Sequence, residues 1–507
     1  MLNQKIKIYV TSFSEEVTGS NNHVKIEWPN GRETSFIVDC GLFQEEEHNF
    51  RNEQKFPYKP ENISFALVTH VHTDHVGRLP YLMQQGYLGK IYMSYETSKL
   101  LPVILSETSE RLQEEAQSKL KRYKVQKEYA KSLKRNKKGS GKKDKPRREK
   151  RKGKKSKEFK IEKPQSLIYA KADIDAVISH AYIQQLNEPF YPEQGIEVTF
   201  YPNAHIAGAV ITVCRIFDEN EEIYMLFTGD VGLKNSVTKQ ETFVPKEIAE
   251  KINIIVSEST YGAGKDSKNV QRQRKKHMNI IKETYKNKGT IVYMSNSLER
   301  PLVVAEDLRQ MLTDPNVCDE LSQFKMYLDT SFGIKCLEKY IKLYGKDCML
   351  DKVKVIDKNS RESAIMEKGP KIFICTSPRF YQGSFLNYGA RMLESSNVTL
   401  VWVAYAPDEV KNIIEFPVGT EISFMGEKTI LRCKRQRFEY YSSHVSAEEM
   451  DIFLSQFINA ETILFNHGAN ESKEAFMERY KKDSNTTHNL LYGRTVLIVD
   501  KTIKKYF

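Results

Sequence analysis

The run His70-Val71-His72-Thr73-Asp74-His75 packs three imidazoles and a carboxylate into six residues, directly behind the apolar stretch 63–69. Few folds can use such a segment. Along an extended chain alternate side chains share a face, so His70 and His72 point the same way while Asp74 and His75 sit on the turn beyond. Nitrogen and oxygen donors at this density can serve two adjacent cations. A single segment cannot complete two coordination shells, so further ligands are expected at other strand ends. His205 follows the β-like run 196–201, and Asp230 follows 222–228 in Thr228-Gly229-Asp230. Asp39, in Val38-Asp39-Cys40-Gly41, is expected as a hydrogen-bond partner behind a ligand.

Hydrophobic patterning divides the rest of the chain. Up to about residue 105, β-rich runs at 6–13, 23–28, 35–38 and 63–69 are broken by Gly, Asn and Pro. A polar, helix-compatible stretch at 106–132 leads into Lys/Arg/Gly/Ser sequence at 134–155, where disorder is expected. A helical stretch is predicted at 172–185, then strands at 196–201, 210–216, 222–228 and 252–257. From about 265 to 430, strand-like runs (290–294, 325–328, 371–375, 398–403) alternate with helix-like ones (301–312, 333–344). That alternation predicts a second, α/β unit with a mainly parallel sheet. Beyond 438, Ser446-Ala447-Glu448-Glu449 has capping-box spacing ahead of Met450, Phe453, Leu454 and Phe457, so a helix starts just after His444. A strand at 462–465 then delivers His467.

The formal charge of +12 over 507 residues is unevenly placed. Residues 119–160 hold 22 Lys/Arg against 4 Asp/Glu, leaving 56 against 62 elsewhere. The basicity reads as one segment rather than a property of the whole surface. No window of 18 apolar residues occurs, the start lacks a secretory pattern, and the 7 cysteines form no C-x-x-C pair. A protein of a reducing, cytoplasmic compartment with no membrane attachment is expected.

Taken together the motifs resemble those of metallo-β-lactamase-fold nucleases of the β-CASP family, which includes mRNA 3′-end-processing endonucleases and ribonuclease J. Asp39, His70 to His75, His205 and Asp230 match the family's first four motifs in order. Ser257-Glu258-Ser259-Thr260-Tyr261-Gly262 is similar to the run that opens the β-CASP insertion, and His444 and His467-Gly468 match its second and third motifs. Ser446 departs from the aspartate the family commonly has there. The resemblance implies a metallo-β-lactamase αββα sandwich with an inserted β-CASP α/β domain. The lactamase-like domain would span 1–261, with a basic insertion at about 119–160, and resume at 438–507; the β-CASP domain would span 262–437. No further RNA-binding module, such as a KH domain, is expected on the chain.

It also implies two zinc ions per chain, one held by His70, His72, His205 and Asp230, the other by Asp74, His75, His467 and the shared Asp230. Asp74, His444 and Glu258 are the implied catalytic residues, with His444 as general acid and Glu258 orienting it. The implied reaction is hydrolysis of RNA phosphodiester bonds, leaving a 5′-phosphate and a 3′-hydroxyl. A histidine at 467, where DNA-processing members usually carry valine, points to RNA. A DNA nuclease of the same family and a catalytically silent RNA-binding subunit of a processing complex stay as alternatives. The expected partner is single-stranded RNA tethered by 119–160, and a homodimer is left open. Lys325 to Asp329 and Ser297 to Arg300 are read either as cleft loops or as a core strand and a helix start.

Overall fold

The computed structural model describes the chain except for residues 1–4, 15, 46, 140–168, 265–269, 297, 349, 378–382, 405–407, 481–486, 490–492 and 507. Residues 140–160 of the basic segment lie outside the described residues, as does most of the stretch expected to be disordered.

Two sheets face one another. The first has eight strands in the order Thr502–Tyr506, Thr495–Val499, Lys7–Ser12, Asn22–Glu27, Glu33–Val38, Phe65–Leu67, Lys90–Ser94 and Ala181–Gln184. The second has seven, ordered Thr487–Asn489, Thr462–Phe465, Ile252–Ser257, Glu222–Phe227, Val210–Phe217, Ile196–Pro202 and Pro189–Glu193. Each sheet takes strands from both ends of the chain. The period-2 alternation of the strands puts Ile8, Val10, Val24, Phe36 and Val38 against Phe200, Met225, Phe227 and Val256 between the sheets. Their other faces are apolar too, and helices cover them. Ile37, Ala66 and Met93 pack under Leu79, Leu101 and Val177 on one side; Val213, Leu226 and Ile255 pack under Phe453, Leu454 and Phe476 on the other. The result is a helix–sheet–sheet–helix stack.

A third sheet lies wholly within residues 290–437. Its six strands run parallel in the order Val353–Ile356, Lys325–Asp329, Lys371–Thr376, Thr290–Ser295, Val398–Trp402 and Lys434–Arg437. Thr290–Ser295 is buried at every position, as a parallel strand covered on both faces must be. One of those faces shares a single apolar cluster with the helix side of the first sheet, from Leu101 through Leu308 and Tyr340 to Ile374.

Two expectations are corrected. The helical stretch at 172–185 ends at Ser179, and Ala181–Gln184 pairs with Lys90–Ser94 as an edge strand; sheet pairing here outweighs local propensity. The β-rich N-terminal region gives way to helix at Tyr95, and that helix continues to Gly139, through the first residues expected to be disordered. Among its described side chains the buried positions stop at Leu112. Asp74 and His75 sit on the turn beyond the strand as expected, and that turn is one turn of helix, Thr73–Val76.

Among the described residues no helix is long and apolar enough to cross a membrane.

Candidate metal centre

Strand direction assembles the site. In the second sheet Glu222–Phe227, Ile252–Ser257 and Thr462–Phe465 are parallel neighbours, and Ile196–Pro202, two antiparallel steps away, points the same way. Their carboxyl ends therefore present Asp230, Glu258, His467 and His205 along one rim. The parallel pair Glu33–Val38 and Phe65–Leu67 in the first sheet brings Asp39 and His70 to the same rim.

Asp230 is the centre of the cluster. Its Oδ2 lies 3.6 Å from His70 Nε2 and 3.5 Å from His205 Nε2, and its Oδ1 lies 3.2 Å from His75 Nε2 and 3.4 Å from His467 Nε2. His72 Nδ1 is 3.0 Å from His70 Nε2 and 3.2 Å from His205 Nε2, and the Nε2 atoms of His75 and His467 are 3.1 Å apart. Asp74 Oδ2 is 3.8 Å from His467 Nε2. Donors bonded at 2.0–2.1 Å around a tetrahedral ion stand about 3.3 Å from one another, which is the spacing seen. Asp230 Oδ1 is buried and accepts no hydrogen bond, so its lone pairs are free to ligate. Two ligand groups follow, His70/His72/His205/Asp230 and Asp74/His75/His467, their donor atoms within 4.8 Å of one another.

The protonation states of the first group agree with that use. Burial drives the imidazoles of His70 and His205 well below their usual range and His72 to about 4, leaving them in the neutral, ligating form. At His75 and His467, by contrast, burial is outweighed by the carboxylates of Asp230, Asp39 and Asp74, which raise the imidazoles above their usual range. Burial opposes charge on Asp230 as well, but the imidazoles of His467, His75, His444 and His70 outweigh it and hold the carboxyl well below the usual range.

Asp39 orients a ligand from behind. Its carboxylate accepts from His75 Nδ1 at 2.7 Å, from the Thr69 backbone N–H at 2.9 Å and from Thr69 Oγ1, which turns His75 Nε2 to the cluster. Its backbone is left-handed (φ 66°), a conformation that Asp tolerates better than most residues. Gly41 lets the chain pass under the ligand turn, since a Cβ there would lie 1.5 Å from the Asp74 carbonyl oxygen.

His444 faces the cluster from the opposite side. Its Nδ1 is 2.9 and 3.1 Å from the two Glu258 oxygens and its Nε2 is 3.7 Å from Asp230 Oδ2. Glu258 is buried and also accepts from Val231 N and Thr260 Oγ1, so its carboxylate is fixed while it fixes the ring. Although Glu258 shares a potential ligand group with Asp230 and His467, those hydrogen bonds occupy both of its oxygens.

The segment before His444 is tied down twice. Tyr440 and Tyr441 both donate to Asp307 Oδ2, at 2.9 and 2.5 Å, and Arg274 pairs with Asp307 at 3.0 Å. After it, Ser446 caps the helix Ala447–Ser455 in the expected capping box with Glu449. Thr69, Thr260 and Asp307 carry no sequence signal for these roles beyond lying near a motif. Of the two stretches read either way, Lys325–Asp329 is a core strand whose Asp329 pairs with Arg361, and Glu299 precedes the helix Arg300–Met311. Glu299 accepts from Ala207 N, Asn235 Nδ2 and Tyr340 OH, tying that helix to the loop of His205.

Residues 26–242 match the family model described as the metallo-beta-lactamase superfamily. The chain is 21% identical to "Ribonuclease TTHA0252" of Thermus thermophilus over 86% of this chain and 88% of that protein. It is 22% identical to "Endoribonuclease ysh1" of Schizosaccharomyces pombe over 80% of this chain and 47% of that protein. It is likewise 22% identical to "Transcription termination factor FttA" of Methanococcus maripaludis over 74% of this chain and 52% of that protein. The chain thus spans most of the first relative and about half the length of the other two.

Proposed function

We propose that this chain, which carries a metallo-beta-lactamase domain and is related to RNA-processing nucleases of the β-CASP kind, is a zinc-dependent ribonuclease. The observation that carries the reading is the split carboxylate of Asp230, one oxygen toward His70 and His205 and the other toward His75 and His467. His70, His72, His205 and Asp230 would hold one zinc ion, and Asp74, His75, His467 and the shared Asp230 a second. What two such ions supply when bound is a water acidified toward neutrality and charge neutralisation at phosphorus.

The chain's own groups do the rest. The rim of ligands sets where the scissile phosphate sits. His444 Nε2 gives a proton to the leaving 3′-oxygen, and Glu258 holds Nδ1 so that Nε2 faces the site. The products are a 5′-phosphate and a 3′-hydroxyl, and no 2′-hydroxyl is needed. The domain division proposed is 1–261 with 438–507 as the lactamase-like part and 262–437 as the β-CASP part, in keeping with a sheet built wholly from 290–437. The substrate proposed is single-stranded RNA, with 119–160 as a tether. A cytoplasmic setting is proposed because Cys40, Cys214, Cys336, Cys375 and Cys433 are buried and unpaired.

The test is cleavage of 5′-labelled and 3′-labelled RNA with and without chelator, beside metal analysis and an equal single-stranded DNA. Chelator-sensitive RNA cleavage with about two zinc ions per chain is expected. Preferential DNA cleavage, or RNA turnover that survives metal removal, overturns it.

A further inference from the structure

Outside the segment 119–160 the charge is still unevenly shared. Residues 262–437 contain 30 Lys/Arg against 21 Asp/Glu, whereas the remainder contains 26 against 41. The basicity is therefore not confined to one segment, and the structure shows where the second share gathers. The helix Val270–Lys286 buries His277, Ile281 and Thr284. Its opposite face exposes Arg272, Lys275 and Lys276 at i, i+3, i+4 and Lys286 at i+14 on the same stripe, with Asn279 and Glu283 between them. Over the 14 residue steps from Arg272 to Lys286 the stripe extends about 21 Å. Its one acidic residue, Glu283, is already paired with Lys434. Among the described residues the four exposed cations enter no ion pair of their own.

One end of this stripe abuts the catalytic segment. Gln273 Oε1 accepts from Glu439 N at 2.9 Å, and Arg274 and His277 join Asp307 and Tyr440 in the bracket that leads into His444. The other end reaches the Glu283–Lys434 pair on the outer strand of the third sheet. The stripe thus starts beside the segment that positions the proposed acid and runs away from it.

We infer that the exposed face of Val270–Lys286 is a track for the phosphodiester backbone of single-stranded RNA leading to or from the cleavage site. The inference rests on the ribonuclease reading and adds a second contact region to the tether. A polyanion suits the face better than other partners do. Three cations gather at the end near the catalytic segment and Lys286 stands at the other. The helix exposes a single large apolar side chain, Tyr285, which lies off the stripe, where a membrane-surface helix would need a continuous apolar face.

The experiment combines Arg272→Gln, Lys275→Gln, Lys276→Gln and Lys286→Gln in the full chain, so that the tether is present in both proteins. Affinity for a long single-stranded RNA is measured against salt. Each cation removed from a phosphate should flatten the slope of log affinity on log salt by about 0.7, or about 2.8 for all four. Between about 50 and 200 mM salt the wild type should then lose about 50-fold more affinity than the variant. A variant slope equal to a steep wild-type slope overturns the track and leaves the ribonuclease reading standing. A wild type that neither binds nor cleaves RNA overturns that reading itself. Capture of poly-glutamate by the wild type alone, with RNA slopes unchanged, overturns the track in favour of an acidic protein partner.

Discussion

Asp39→Asn isolates the contribution of a residue that stands behind the proposed ligands and belongs to none of the ligand groups. Asp39 is 2% exposed, and its two oxygens divide their work: Oδ1 accepts from Thr69 N at 2.9 Å and Oδ2 from His75 Nδ1 at 2.7 Å. Asparagine keeps the shape, tolerates the left-handed backbone at φ 66° and can still accept from Thr69 N. It places an NH2 group against His75 Nδ1, however, so two donors meet. His75 must either give up that hydrogen bond or move its proton to Nε2, the atom 3.2 Å from Asp230 Oδ1 and 3.1 Å from His467 Nε2. Losing a hydrogen bond to a charged acceptor costs about 1.5–3 kcal/mol. Removing such a partner behind a metal ligand typically lowers affinity about 10–100-fold, or about 1.4–2.7 kcal/mol, and the two figures agree. The loss should fall mainly on the proposed site that contains His75, since His75 alone among the ligands bonds Asp39 directly, while His70 meets it only through Thr69 Oγ1, 3.1 Å from His70 Nδ1. Zinc titration against a competing chelator should show one site weakened and the other near wild type, with thermal melting checking the fold. Wild-type affinity at both sites in a folded Asp39→Asn protein refutes the tautomer argument, and equal weakening of both refutes the division of ligands.

His444→Ala should keep zinc content and RNA affinity while lowering turnover about 100- to 10,000-fold, the usual worth of a general acid; full turnover in a steady-state cleavage assay removes its role. Glu306 is drawn from the ordinary 4.5 to about 2, because hydrogen bonds and charge from Arg309 and Lys239 outweigh the opposing effect of burial. A depressed carboxyl stabilises the fold fully above its unfolded value and less as pH falls toward about 2. Glu306→Gln should therefore lower the urea midpoint at neutral pH and lower it progressively less below pH 4.5, and a pH-independent difference would count against this link. Deleting 119–160 should weaken RNA capture and flatten its salt dependence without loss of zinc; zinc loss on metal analysis shows instead that the segment supports the fold.

Much of the site is legible in the sequence because strand geometry is local. An apolar run of fixed period ends at a definite residue, so His70, Asp230, Glu258 and His467 can be assigned to strand ends before any packing is known. The ligand types follow from residue chemistry, and the capping box at Ser446 follows from a four-residue pattern. Local sequence is silent where the outcome depends on a partner far along the chain. Ala181–Gln184 is a strand only because Lys90–Ser94 offers it an edge, and helix continues through Lys134 to Gly139 where composition suggested none.

Tertiary structure alone decided that the two oxygens of Asp230 face different imidazole groups and that Glu258, 186 residues away, holds His444. It also decided that Asp307 brackets the segment before His444, and that the basic side chains of Val270–Lys286 divide into a partner for Asp307, Arg274, and an exposed stripe. The physical reason is the same in each case. Ligand identity and strand phase are properties of neighbouring residues, whereas the direction in which a carboxylate or a charged face points is set by the surfaces packed around it.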